Sequence, residues 1–171
     1  CKTVSFLQEI TPKIEAKIMS YGELMSMLVM NDIFSVNKIE HELIYSTEYI
    51  ITNDVYLNAL VDIKTTSKKL NEKIYSSTIS NKVILTNGFL GVDKNNITTT
   101  LGRGGSDYTA TLIASLINAE DVYIYSDVDG IMSGDPKKIK SAIVLDNIYV
   151  KEAAELAFFG AKILHPRTIQ P

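Results

Sequence analysis

Near the start of the chain, apolar residues recur at the spacing of a helix. Ile14, Ile18, Tyr21, Met25 and Leu28 follow a Thr11-Pro12 pair suited to an N-cap and a first helical position. The pattern predicts an amphipathic helix over 12–30, with the stretch SYGE in its middle. Gly22 inside that helix costs about 1 kcal/mol against alanine, which suggests close packing or a ligand unless the glycine is simply tolerated. Periodicity weakens beyond residue 30. ELIYSTEYIIT and NALVDIK read as short strands, and TSKKLNEKIYSS as a helix with one polar face. From residue 82 the pattern sharpens. KVILTNGF is a short apolar run ending in Asn-Gly, as buried parallel strands do. A glycine-rich loop then precedes an apolar helix over 106–118. DVYIYSDVDG reads as a further strand ending in turn residues, SAIVLDNI as a short extended segment, and VKEAAELAFFGAKIL as a helix rich in Ala, Glu and Leu. Strand, loop, helix and strand in this order predict an α/β layered sheet in one domain. In such sheets ligands sit at the carboxyl ends of strands, where NGF and SDVDG fall.

Composition narrows the class further. The chain has 171 residues, 46% hydrophobic and 22% charged, as ordinary globular proteins do. A net charge of −3 offers no general attraction to nucleic acid or to an anionic membrane. No apolar run is long enough to span a bilayer, and CKTVSFLQEITPK lacks the layout of a secretory signal. The one cysteine, Cys1, excludes an internal disulfide and fits a reducing, cytoplasmic setting. Without C-x-x-C or a histidine cluster, no transition-metal site is suggested.

The chemistry concentrates in ITTTLGRGGSDYTATLIASLIN, residues 97–118. Gly102, Gly104 and Gly105 let a backbone approach a ligand closely. The helix that follows presents free N–H groups and a partial positive charge, and Arg103 adds a planar fork of donors. Together they describe an anion site. It is not a Walker A loop, because no Gly-Lys-Ser/Thr follows, and G-R-G-G-S-D is not the Rossmann spacing.

TTTLGRGGSDYTA, SDVDGIMSGDPK and ELAFFGAKILHPRTI resemble three consecutive motifs of aspartate kinases, and SYGE and NGFLG resemble two more in the family's order. The resemblance implies the amino acid kinase fold, a three-layer αβα sandwich around a mainly parallel sheet. It implies transfer of the ATP γ-phosphoryl group to the side-chain carboxylate of aspartate, the first step towards lysine, threonine and methionine, with ATP as co-substrate and Mg²⁺. A carboxylate nucleophile is already ionised at neutral pH. The protein's task is therefore to position two anions and offset their charge.

The resemblance also distributes roles. Arg103 would clamp the aspartate α-carboxylate, helped by Ser106 and the N–H groups of Gly104 and Gly105. Asp107, in a first helical turn where an acid is favoured anyway, would be a catalytic organiser that also touches substrate. Glu23 would take the substrate ammonium, and Phe89 would pack beside it. Ser126, Asp127, Met132, Lys137 and Lys162 would face the nucleotide, Lys162 as a catalytic point charge on its phosphates. Ser126 stands where the family usually has threonine, Met132 where tyrosine is common, and Lys137 where arginine is common. Asp129 reads equally as a turn residue, His165 as shaping the chain before a proline, and His41 as surface.

In the family a strand and a KFGGTS-type loop with a catalytic lysine come first, and regulatory domains come last. The expectation is therefore a partial catalytic domain over 1–171, inactive by itself, from a homo-oligomeric parent. Two alternatives stand beside it: another amino acid kinase, or a catalytically silent nucleotide-binding fragment.

Overall fold

The computed structural model describes residues 10–79, 82–126, 130–134, 138–158, 166–169 and 171. Two compact units make up the chain, Cys1–Gly102 and Arg103–Pro171.

The first unit begins with helix α1, Pro12–Val36, longer than its apolar pattern predicts. Thr11 caps it as expected, its hydroxyl accepting from the Ile14 N–H at 3.3 Å. The helix faces the other way from the prediction. Ile18, Tyr21, Met25 and Leu28 are exposed, while Ala16, Ser20 and Met27 are buried. Two of those three are small, which lets α1 lie close against the strand β4, Thr98–Thr100. Gly22 borders open space, with no atom within 4 Å of where its Cβ would stand, so it is a tolerated glycine rather than a packing contact.

Strand β1, His41–Ile44, pairs in parallel with β2, Val83–Thr86, in a register that sets His41 beside Val83 and Ile44 beside Thr86. Between them the predicted strands break up. ELIYSTEYIIT divides into β1, a 3-10 turn over Ser46–Glu48 and single bridged residues, Ile51 to Val92 and Thr52 to Val61. NALVDIK contributes only the isolated bridge of Val61 to Thr52. Asp62 then opens helix α2, Ile63–Ile79, by accepting from the Thr65 N–H at 3.1 Å and the Thr65 hydroxyl at 2.6 Å. A local cap of this kind outcompetes a weak strand pattern. Lys73 on α2 pairs with Glu48, and its hydrogen bond holds that carboxyl below the usual range.

Two further strands form an antiparallel hairpin that the apolar pattern does not announce: β3, Leu90–Val92, against β4, with Leu90 opposite Thr100. The core of the first unit comprises Ala16, Met27, Ile44, Tyr49, Ile50, Ala59, Leu70, Leu90, Val92 and Leu101. Burial pushes the Tyr49 hydroxyl up to about 12, and it bonds Thr86 Oγ1 at 2.9 Å. His41 is not the unpartnered surface residue expected. Its Nε2 lies 3.0 Å from Asn31 Oδ1, its Nδ1 2.8 Å from the Ile39 carbonyl, and Phe34 meets the ring edge-on.

Asp93 closes the hairpin. Its Oδ1 accepts from the N–H groups of Asn95 and Ile97, each at 2.8 Å. The Ile97 bond is the main reason that its carboxyl titrates below the usual range. A depressed folded-state pKa stabilises the fold above the unfolded carboxylate pKa, and this contribution is lost as pH falls through the folded value. We therefore expect Asp93→Asn to flatten the acid side of a plot of thermal midpoint against pH. An acid limb identical in the two proteins would contradict this.

The second unit is built on helices α3, Gly105–Ile117, and α4, Val150–Phe158. Both pack against a 3-10 turn at Pro166–Ile169. α3 starts and ends where the sequence predicts and stops at Asn118, which is left-handed at φ 53°. α4 begins as predicted, and residues 159–165 lie outside the described residues. The strand predicted at DVYIYS is not formed: residues 121–126 run without a ladder, Tyr123 and Tyr125 exposed. An apolar run becomes a strand only where a neighbouring segment pairs with it in a ladder, and residues 121–126 form no ladder among the described residues. SAIVLDNI likewise supplies one bridged residue, Val144, opposite Met132. With helices and short strands alternating along the chain, the class is α/β.

Candidate functional site

The glycine loop forms as its sequence suggests. Gly102, at the end of the first unit, is left-handed at φ 78°, and a Cβ there would fall 2.0 Å from Asn58 Oδ1. Only glycine fits.

In the second unit Gly104 is the N-cap of α3, left-handed at φ 70° and without a side-chain cap. A serine cap would have supplied an acceptor. Glycine instead leaves the first N–H groups of α3 without a competing side-chain oxygen at the cap position. Ser106 sits inside the first turn and is exposed. Asp107 is in the same turn, half-buried, its carbonyl accepting from the Thr111 hydroxyl at 3.3 Å. Arg103 is exposed, and Gly105 is buried within the helix. Five predicted residues, Arg103, Gly104, Gly105, Ser106 and Asp107, thus occupy one helix start. Buried Thr109 anchors it, bonding the Gly105 carbonyl at 2.7 Å. Arg167 lies over the Tyr108 ring, 5.0 Å from its centre.

Two other predicted residues come together in the first unit. Glu23, on α1, accepts from the Gly88 N–H at 3.2 Å, next to Phe89. Phe89 is left-handed at φ 66°, unusual for a bulky side chain. The hydrogen bond from the Leu90 N–H to the Gly88 carbonyl, 2.7 Å, closes a three-residue turn around it. Its own carbonyl accepts from the Leu101 N–H at 2.8 Å. The sequence reading passed over Asn87 and Ser46, which support this turn. The Asn-Gly pair signalled a turn but not which groups hold it.

Of the nucleotide residues, Ser126 is exposed and Met132 half-buried. Asp127, Lys137 and Lys162 lie outside the described residues, as do Asp129 and His165. No three His, Cys, Asp or Glu side chains converge into a cation cage among the described residues. No described helix is long and apolar enough to cross a membrane.

Comparison with known proteins gives this geometry its context. The lysine-sensitive aspartokinase 3 of Escherichia coli is 37% identical over 161 residues, 94% of this chain and 36% of that protein. The bifunctional aspartokinase/homoserine dehydrogenase of Buchnera aphidicola is 37% identical over 170 residues, 98% of this chain and 20% of that protein. The chain therefore spans between a fifth and about a third of the length of these curated relatives. Among solved structures, E. coli aspartokinase III in complex with aspartate and ADP superposes with a TM-score of 0.88 over 94% of this chain and 36% of that one, at 37% identity. Aspartate kinase from Synechocystis gives 0.74 over 98% of this chain and 27% of that one, at 26% identity. Residues 4–171 match the amino acid kinase family, and with these likenesses the chain belongs to that family, sharing its α/β fold with the aspartokinases.

Proposed function

We propose that the protein is an aspartate kinase, transferring the γ-phosphoryl group of ATP to the side-chain carboxylate of L-aspartate to give aspartyl phosphate and ADP. One observation carries the reading: the run TTTLGRGGSD contains a left-handed glycine cap, Gly104, that opens α3 beside Arg103 and Asp107. Its likeness to an aspartokinase crystallised with aspartate and ADP supports the choice of substrates.

The chemistry needs no general base, since the attacking carboxylate is ionised. It needs orientation and positive charge. Arg103 offers a bidentate fork to the substrate α-carboxylate, and the N-terminus of α3 adds donors of the same polarity. Glu23 takes the α-ammonium, and Phe89 lies alongside. Asp107 orients the amino acid for attack. Ser126, Asp127, Met132 and Lys137 serve the nucleotide, and Lys162 offsets charge at its phosphates. Mg²⁺ would be carried by those phosphates and by water, with one or two carboxylates at most. Product aspartyl phosphate would feed lysine, threonine and methionine synthesis in the cytoplasm.

The test uses the full-length chain that the gene encodes. ADP release should depend on aspartate, with hydroxylamine trapping the acyl phosphate, and glutamate, acetylglutamate, carbamate and nucleoside monophosphates should be poor substitutes. Turnover with one of these in preference to aspartate would overturn the reading. Within the same assay, Arg103→Ala is expected to raise the aspartate KM thirtyfold or more, since losing one partner of a charge pair that becomes buried when substrate binds costs roughly 2–5 kcal/mol. An unchanged aspartate KM would remove Arg103 from the role.

A further inference from the structure

The turn over Gly88, Phe89 and Leu90 holds a conformation that its sequence does not favour. A phenylalanine at φ 66° persists only where its surroundings over-determine it. Those surroundings are two buried polar side chains distant in sequence. Ser46 is fully buried and Asn87 nearly so. Asn87 Oδ1 accepts from the Ser46 N–H at 3.0 Å. Its Nδ2 donates to Ser46 Oγ at 2.7 Å and to the Gly88 carbonyl at 3.1 Å. Ser46 Oγ in turn donates to the Leu90 carbonyl at 3.0 Å.

The serine thus bridges the residue before the turn, Asn87, and the turn's last residue, Leu90. The asparagine uses both amide hydrogens and its carbonyl within the same cluster. Fully satisfied buried networks of this kind fix one geometry, because any shift leaves a polar group unpaired in an apolar setting. The geometry fixed here aims the Gly88 N–H at Glu23 and holds Phe89 left-handed between Gly88 and Leu90.

We propose that Ser46 and Asn87 are positioning residues for the amino-acid end of the substrate site. They act through Glu23 and Phe89, and neither touches substrate. The inference rests on the aspartate kinase reading above. Removing either partner frees the turn to relax to an ordinary backbone, displacing the Gly88 N–H from Glu23 and the ring from its place. Binding of an α-amino acid suffers, while nucleotide binding does not depend on this turn.

The experiment compares Ser46→Ala and Asn87→Asp with the wild-type enzyme at full length. Asn87→Asp keeps the side-chain volume and the acceptor for the Ser46 N–H but loses both donated bonds. Steady-state constants are measured for aspartate and ATP separately, with thermal midpoints alongside. The expected result is an aspartate KM raised at least tenfold in both variants and an ATP KM within twofold of wild type. A purely structural pair would lower the thermal midpoint and leave the aspartate KM alone, and folded variants behaving so would overturn the inference. If Ser46→Ala does not fold, Asn87→Asp decides, and if neither folds the pair serves folding alone and the inference falls. A wild-type enzyme inactive on aspartate would overturn the parent reading as well, an outcome visible before any variant is made.

Discussion

Replacing Asp107 by asparagine is expected to lower kcat by about a hundredfold to a thousandfold, the loss typical when one preorganised electrostatic group is removed from a reacting centre. The fold should survive. Asp107 lies in the first turn of α3, two residues after Gly105. Its carbonyl bond from Thr111 is a backbone contact that asparagine keeps. What asparagine loses is the favourable meeting of a negative charge with the helix N-terminus, worth about 0.3–1 kcal/mol. A thermal midpoint within a few degrees of wild type, beside a collapsed kcat, would separate chemistry from stability. Normal kcat with lowered stability would make Asp107 a helix-dipole residue and nothing more.

Gly91→Val is expected to be the most damaging single change to the first unit. A Cβ at this position would stand 2.8 Å from Thr52 Cγ2, 2.9 Å from Ile50 Cγ2 and 3.0 Å from the Ile50 carbonyl oxygen. The neighbours cannot withdraw easily. Thr52 donates its N–H to the Val92 carbonyl at 2.8 Å, and Val92 donates its own to the Ile50 carbonyl at 3.0 Å. These bonds hold residues 50–52 beside β3. Overpacking of a tight core site typically costs about 1–3 kcal/mol. Alanine should fall in that range and valine above it, since valine adds two methyl groups. Urea unfolding with an unchanged slope and a lowered midpoint would record the loss. A valine variant as stable as wild type would mean that β3 can move away from residues 50–52.

The sequence was most legible where one local rule dominates. The cap of α1 at Thr11, the strand at Val83–Thr86 and the span of α3 all follow from neighbouring residues. The glycine loop was legible for the same reason, because left-handed backbone at Gly102 and Gly104 demands a particular residue. Legibility failed where the answer depended on distant partners. The face that α1 buries is set by its approach to β4, so small residues rather than the apolar stripe turn inward. The run DVYIYS has the composition of a strand, but a strand also needs a ladder partner. The β3–β4 hairpin was hidden by a polar turn whose signal is one aspartate side chain. Ser46 and Asn87 were missed because nothing in either local segment shows that residues so far apart in the chain share a buried cluster. Glu23 and Phe89 came from family likeness, and the Gly88 N–H links them in space.

The two strand pairs also differ in how far the chain must reach to close them. Leu90 finds Thr100 across a short turn tied by Asp93, whereas His41 must find Val83 on the far side of α2. Local hairpins close within about 1–10 μs, while pairings between distant segments wait on the entropy of closing a long loop. A chain emerging from denaturant is therefore expected to pair β3 with β4 before it closes the parallel pair. Residues 50–52 would then join a hairpin already standing, which would make β3 the seed from which the first unit grows.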